Sequence, residues 1–230
     1  MVGIQPNPVQ KDGYQKGGLS VEQAAKKKER FILTDYLRVR SRALLEPFAR
    51  FFNRLGLNPN TMTILGLVGN AIGAVVIARG NMFWGGVIVL AMGPVDALDG
   101  TMARLRGQPT KFGAFVDSVT DRYSELVIFG GLLVYYSQLQ RGLEMLVVYA
   151  AAAGSVLVSY ARARGQSLGY DTKVGLFSRF ERFAVLTPAL ILNIPIIGVG
   201  IIAIFSNITA LQRIYDVRRQ AMQDINKKPL

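Results

Sequence analysis

The chain has 230 residues, 50% of them hydrophobic, with a mean hydropathy of +0.28 and a formal net charge of +12 from 27 Lys+Arg against 15 Asp+Glu. This profile fits a polytopic membrane protein and argues against a soluble domain, and it points the positive charge at anionic lipid headgroups, with no nucleic acid as partner. Neither cysteine nor histidine occurs, which excludes disulfides, thiolate nucleophiles, His-ligated metals and His bases and leaves carboxylates, hydroxyls, Lys and Arg for any chemistry.

Residues 1–30 are polar, rich in Gly, Pro and Lys, and carry no apolar core of a signal peptide; they read as a flexible cytoplasmic tail. Residues 31–56 mix spaced Leu, Phe and Ala with Arg38, Arg40, Arg42, Arg50 and Arg54, the pattern of an amphipathic helix lying in the headgroup layer. Pro47 is expected to bend or break it. Six apolar segments follow, judged against the ~20 residues needed to cross the bilayer. The first is 61–79, where Gly66, Gly69 and Gly73 allow close helix approach. The second starts near Met82 and is apolar first and charged later, through "VDALDGTMAR"; the third reverses that order, "FGAFVDSVTDRYSE" leading into "LVIFGGLLVYYSQL". The fourth, fifth and sixth are "LEMLVVYAAAAGSVLVSYARAR", "ERFAVLTPALILNI" and "IIGVGIIAIFSNITALQRIY". The expected fold is all-α, with six transmembrane helices after the amphipathic juxtamembrane helix.

Loop charge fixes the expected orientation through the positive-inside rule. With both termini cytoplasmic, the inner regions hold 11 Lys and Arg before residue 61, 3 in 104–111, 5 in 162–182 and 5 from Arg213 onward, while the outer loops hold Arg79 and Arg141. The loops between segments two and three and between segments four and five then face the cytoplasm of a multi-pass cell-membrane protein.

The acids stand next to the first of those loops. Asp96, Asp99 and Ala103 share one helix face, and Gly113, Asp117 and Asp121 share another at spacings of four. "LRGQPTK" between them reverses the chain through Gly107 and Pro109, so the four carboxylates converge. Four ionised carboxylates in a low dielectric need counter-charge, and divalent cations with all-oxygen ligation, Mg²⁺, Mn²⁺ or Ca²⁺, supply it. Two ions sharing a bridging carboxylate would clamp phosphate oxygens during displacement. Two other readings stay open on these residues alone: a carboxylate-based cation or proton transporter, and a scaffold whose acids pair with Arg104 and Arg122. Gly100, Ala103 and Gly113 beside the acids favour room for a ligand.

Asp96, Asp99-Gly100, Ala103-Arg104, Gly113, Asp117 and Asp121 at this spacing resemble the signature of the CDP-alcohol phosphotransferase family, and "LNPNTMTILGL" (57–67) resembles that family's entry to its first span. The resemblance covers about residues 45–220 and makes 57–220 the enzyme domain, with 221–230 a cytoplasmic tail. It implies a six-helix membrane enzyme, usually a homodimer, that moves a phosphoalcohol group from a CDP-linked donor to a hydroxyl and releases CMP. By the same carry-over, Asp96, Asp99, Asp117 and Asp121 ligate two divalent cations, Mg²⁺ or Mn²⁺. Asp121 is the candidate general base; Asp99, Gly100, Ala103 and Gly113 adjoin the CDP moiety, and Arg104 contacts its phosphate.

For the acceptor, "SVLVSYARARGQSLGYDTKVGLFSRFERFAVL" (155–186) places Ser159, Arg162, Arg164, Lys173, Arg179 and Arg182 on the aspartate side, a basic cluster suited to a phosphorylated polyol. The stretch resembles the family's phosphatidylinositol phosphate synthases, bacterial and archaeal. That resemblance assigns Ser159, Arg162, Arg182 and Arg213 to the acceptor phosphate, CDP-diacylglycerol as donor and inositol 3-phosphate as acceptor. It departs from the usual pattern at Arg162, where Lys is expected, and at Ser178 and Phe180, where an acid and a proline are usual. Glycerol 3-phosphate, the acceptor of a phosphatidylglycerophosphate synthase, is the alternative.

Overall fold

The structure, a computed structural model, describes residues 45–107, 110–172 and 174–227. The predicted tail 1–30, the first part of the amphipathic segment (31–44), Pro109 and Lys173 lie outside the described residues. Those described form seven helices and no strand: α1 (45–54), α2 (Pro59–Ala78), α3 (Met82–Leu105), α4 (Lys111–Gln138), α5 (Gly142–Ser167), α6 (Arg179–Ile191) and α7 (Pro195–Lys227).

Local chemistry sets where these helices start. Pro59 opens α2 in the first turn, where its missing N–H has no helical partner to lose. Asn81 accepts from the backbone of Trp84 at 3.3 Å to start α3, and Thr110 Oγ1 accepts from Gly113 N at 2.9 Å to start α4. Between α3 and α4, Gly107 adopts a φ of 66°, a left-handed turn that favours glycine.

The six longer helices close a ring. α2 packs on α3 and α4, α3 on α6, α6 on α7, α7 on α5, and α5 back on α4. Glycines set the tightest contacts, as the spacing in the first segment predicts: a Cβ on Gly69 would run into Met92, one on Gly73 would meet Val89 at 3.1 Å, and one on Gly131 would strike the Ala74 carbonyl. One apolar cluster draws on all six helices, with Ile77, Val89, Phe129, Leu132, Val148, Leu190 and Ile202 among its buried members. It fills the end of the ring away from the acids.

α1 stands outside the ring with three distinct faces. Leu45, Ala49 and Phe52 pack against Met62, Leu98 and Met102. Phe48, Phe51 and Leu55 are exposed, and Glu46 and Arg50 pair at 2.6 Å on the polar side. Pro47 lies within this helical stretch, which continues unbroken to 54.

Four helices, Pro59–Ala78, Met82–Leu105, Gly142–Ser167 and the 195–226 stretch of α7, are long and apolar enough to cross a bilayer. The protein is therefore an all-helical, multi-pass membrane protein, and the expectation of six such helices meets two exceptions. α4 carries Lys111, Asp117, Asp121, Arg122 and Glu125 between its start and its middle, which lowers its hydropathy. α6 has 13 residues, rising only about 20 Å against ~30 Å of hydrocarbon. α7 is longer than the predicted sixth segment and stays helical to Lys227.

Candidate active site

The charged end of the ring gathers the C-terminal halves of α3, α5 and α7 and the N-terminal ends of α2, α4 and α6. Asp99 on α3 is 7% exposed; Thr63 Oγ1 on α2 donates to its Oδ2 at 2.6 Å, and the Gly100 N–H donates to its Oδ1. One turn earlier, Asp96 lies directly over Gly66 of α2, where any Cβ would collide with the carboxylate. Asp117 and Asp121 come from α4, and Asp96, Asp99 and Asp121 each lie within electrostatic reach of Asp117. The backbone thus brings the four acids to one place.

Their partners include one that the sequence does not single out. Arg179, the first residue of α6, reaches across the ring so that Nη2 lies 2.9 Å from Asp96 Oδ2 and 2.7 Å from Asp121 Oδ1. Arg122 Nη1 is 3.5 Å from Asp121 Oδ2, while Arg104 Nη2 donates to Thr101 Oγ1 at 2.9 Å. No three acids among the described residues draw close enough to hold a metal ion as they stand. The donor set still fits a hard divalent cation: every ligand is a carboxylate oxygen, one is oriented by a hydroxyl, and one rests on a glycine cradle that a side chain would fill.

The small residues beside the acids differ in the room they leave, Gly100 having ordinary contact only and Gly113 a close one. A Cβ on Gly100 would meet only Arg104 Nη1, at 3.4 Å, and one on Gly113 would meet Thr110 Oγ1 at 3.0 Å and Asn60 Oδ1 at 3.8 Å. Ala103 is half-buried on the same face of α3 as Asp96 and Asp99. Gly113 therefore faces the first turn of α2, the "NPN" entry already marked by its sequence.

The basic residues lie on the opposite half of the ring, and most of them are on helices. Ser159 bonds back to the Ser155 carbonyl at 3.3 Å, and Arg162, on the last turns of α5, is exposed. Arg182 is 2% exposed. It forks onto Glu125 of α4, Nε to Oε1 at 2.5 Å and Nη2 to Oε2 at 3.0 Å. Arg213, 4% exposed, donates to the carbonyls of Val174 at 3.0 Å and Val158 at 2.7 Å, so it pins the 168–178 loop to α5. Arg162 and Arg182 are both within electrostatic reach of Arg213. Three cations come together, two of them already engaged by protein groups.

Sequence reasoning missed Glu125, although it continues the 113, 117, 121 spacing by one more step of four. It also missed Thr63 and Arg106, which are polar residues in an otherwise ordinary span and turn, and it gave Arg179 no individual place. A cavity inside the ring connects the two halves, lined by Asn70, Asp96, Asp121, Ser124, Glu125 and Arg182 among others.

Comparison with known proteins agrees with this geometry. Residues 57–212 match the model of the CDP-alcohol phosphatidyltransferase family. The phosphatidylinositol phosphate synthase of Streptomyces avermitilis is 35% identical over 209 residues, covering 84% of this chain and 85% of that protein. The archaetidylinositol phosphate synthase of Pyrococcus horikoshii is 34% identical over 181 residues, covering 76% of this chain and 92% of its own. Among solved structures, the Mycobacterium tuberculosis phosphatidylinositol phosphate synthase with CDP-DAG bound superposes with a TM-score of 0.71 at 30% identity, over 76% of this chain and 94% of that one. The same synthase has been solved with manganese and citrate, again with a TM-score of 0.71 and 30% identity, over 75% and 88% of the two chains. The chain belongs to the CDP-alcohol phosphatidyltransferase family.

Proposed function

We propose that this transferase moves the phosphatidyl group of CDP-diacylglycerol to inositol 3-phosphate, giving phosphatidylinositol phosphate and CMP. The observation that carries this reading is the cavity inside the ring, where Asp96 and Asp121 of the carboxylate cluster share a lining with Arg182, itself within electrostatic reach of Arg213 as Arg162 is. The similarity to synthases of phosphatidylinositol and archaetidylinositol phosphate, one of them solved with CDP-DAG and another time with manganese, supports it.

Asp96, Asp99, Asp117 and Asp121 would hold two divalent cations, Mg²⁺ or Mn²⁺, which neutralise the diphosphate and stabilise charge on the departing CMP. Gly100, Ala103 and Gly113 leave space for the cytidine and ribose beside Asp99, and Arg104 adds a phosphate contact. Ser159, Arg162, Arg182 and Arg213 hold the acceptor phosphate, bringing the polyol hydroxyl toward Asp121. The hydroxyl oxygen bonds to the phosphorus that carries the diacylglycerol, the bond from that phosphorus to the bridging oxygen breaks, and CMP leaves with the electron pair. The hydroxyl proton leaves toward Asp121, which orients the acceptor as well as receiving the proton.

In this reading α4 and α6 also cross the membrane, the polar parts of both facing the ring's interior. The 24 Lys and Arg counted on one side support a cytoplasmic position for both termini and the site. Residues 57–220 form the enzyme domain, preceded by the tail 1–30 and the interfacial helix 31–56 and followed by the tail 221–230, and the protein works as a homodimer.

The test is an acceptor panel: purified protein with CDP-diacylglycerol and Mg²⁺ or Mn²⁺, assayed for CMP with inositol 3-phosphate, glycerol 3-phosphate, free inositol and serine. CMP release driven by inositol 3-phosphate is expected. Release driven only by glycerol 3-phosphate would move the assignment to the phosphatidylglycerophosphate reaction, and release with none would end it.

A further inference from the structure

We infer that Arg179 is the resident counter-ion of the carboxylate cluster and competes with divalent cations for Asp96 and Asp121. This rests on the proposed metal-dependent reaction and adds to it a residue that sets how tightly the metal binds.

One nitrogen, Nη2, serves both acids, at 2.9 Å and 2.7 Å, and so joins α3 to α4 through a side chain from α6. Other nearby cations are differently placed. Arg182 is forked onto Glu125, and Arg122 reaches only Asp121 and the Ser118 carbonyl of its own helix. Arg179 spans both acid-bearing helices from a third.

Its position in α6 argues that the helix does not require it. A cation in the first turn opposes the helix dipole, and α6 is already started by Ser178, whose N–H donates to Glu181 Oε2 at 2.9 Å. The backbone at 179 is therefore fixed from within α6, while the side chain, 40% exposed, has open space to withdraw into. Asp99 is held by Thr63 and not by Arg179. The guanidinium thus offsets one unit of charge shared by Asp96 and Asp121 and does not engage Asp99. A divalent ion that takes Asp96 and Asp121 must break both ion pairs, and each pair broken subtracts from its net affinity.

Removing a structural arginine from a site ordinarily loosens the site and weakens its ligand, whereas removing a competitor tightens the ligand, so the sign of the effect separates the two. Mn²⁺ binding to the purified, nanodisc-embedded protein is measured by loss of the free-ion electron paramagnetic resonance signal, in wild type, Arg179→Ala, Arg179→Lys and Arg164→Ala. Arg179→Ala is expected to bind Mn²⁺ roughly five- to tenfold more tightly than wild type, as fits the loss of two partly screened ion pairs. Arg179→Lys, keeping the charge on a different head group and a shorter reach, falls between them and carries the test if the alanine variant folds poorly. Arg164→Ala removes an exposed charge of the same face and shifts the affinity less than about twofold, because such charges are screened. The metal-free Arg179→Ala protein melts lower than wild type and recovers on adding Mn²⁺. Mn²⁺ affinity that falls, or stays level, in both position-179 variants overturns the inference alone. Absence of Mn²⁺ binding in wild type and every variant overturns the metal-site reading beneath it.

Discussion

The acid half of the ring, α2 to α4, and the basic half, α5 to α7, are built in different ways. In the acid half, helices approach closely at Gly66, Gly73 and Gly131, where an added Cβ would meet the Asp96 carboxylate, the Val89 side chain and the Ala74 carbonyl, and Asp96 takes its place from such a contact. In the basic half the work falls to long side chains: Arg213 ties Val158 to Val174, Thr209 Oγ1 receives the Phe177 N–H at 3.2 Å, and Arg182 is locked onto Glu125. A site held by backbone geometry is rigid and intolerant of added atoms. One held by arginines tolerates exchange of its neighbours but fails when a partner charge is removed. The two halves therefore break differently.

The largest expected effect lies in the acid half. Asp117, like Asp96, lies within electrostatic reach of the three other acids, so Asp117→Asn should lower CMP release by about a thousandfold or more, given the several kcal/mol that bound cations supply to such a displacement. The fold should survive, because the substitution relieves repulsion; an unchanged melting profile with lost turnover is the expected pair of results. Turnover within tenfold of wild type would contradict the four-acid site.

The basic half responds in stability as well as activity. Glu125→Ala leaves Arg182, 2% exposed, as a buried charge without its fork, and breaking such a pair costs about 3 kcal/mol or more. Thermal melting should fall clearly, and any activity left should show a raised KM for the acceptor with the KM for CDP-diacylglycerol nearly kept. Glu125→Gln, which still accepts one hydrogen bond, should fall between. A variant that melts like wild type would mean that Arg182 finds another partner.

What was legible in the sequence follows the same division. Intrahelical spacing is periodic, so Asp96, Asp99, Asp117 and Asp121 declared both their faces and their convergence, and the spaced glycines declared the close contact of α2. The basic half depends on which residues meet across 30 or more positions, as Arg182 meets Glu125 and Arg213 meets Val174, and no local period encodes that. Ser178 was noted for being unusual at its place, but its function as the start of α6, paired with Glu181, emerges only from the structure. For Arg182 and Arg213, assigned to the acceptor phosphate by resemblance, the structure adds the partners that hold them, Glu125 and the carbonyls of Val158 and Val174, because a sequence shows charge and hides its partner.

A subtler contrast tests the backbone argument directly. Gly66→Ala puts a methyl group into the Asp96 carboxylate, whereas Gly130→Ala on α4 meets nothing within 4 Å. Gly66→Ala should reduce Mn²⁺ affinity or turnover by about ten- to a hundredfold, the range seen when a group that orients a metal ligand is disturbed. Gly130→Ala should leave both unchanged. Equal behaviour of the two variants would remove the claim that close helix packing positions Asp96.

The smallest effect is expected where the two kinds of construction meet. Arg106, just past the end of α3, donates through Nε to Asn53 Oδ1 at 2.7 Å, through Nη1 to Asn58 Oδ1 at 3.1 Å and through Nη2 to the Leu57 carbonyl at 2.5 Å. It thereby fastens α1 and the first turn of α2 to the end of the acid-bearing helix. That turn carries Asn60, which faces Gly113, and leads to Thr63, which holds Asp99. Arg106 contacts none of the four acids, so its loss acts only through the placement of α2. A lysine keeps the charge but cannot form the three-way fork, and losing two such bonds costs about 1–3 kcal/mol in a partly solvated setting. Arg106→Lys should accordingly raise the KM for CDP-diacylglycerol several-fold while kcat and the acceptor KM stay near wild type. A fall in kcat as large as that of Gly66→Ala would show that the first turn of α2 positions the carboxylates themselves, and the acid half would then be held by side chains after all.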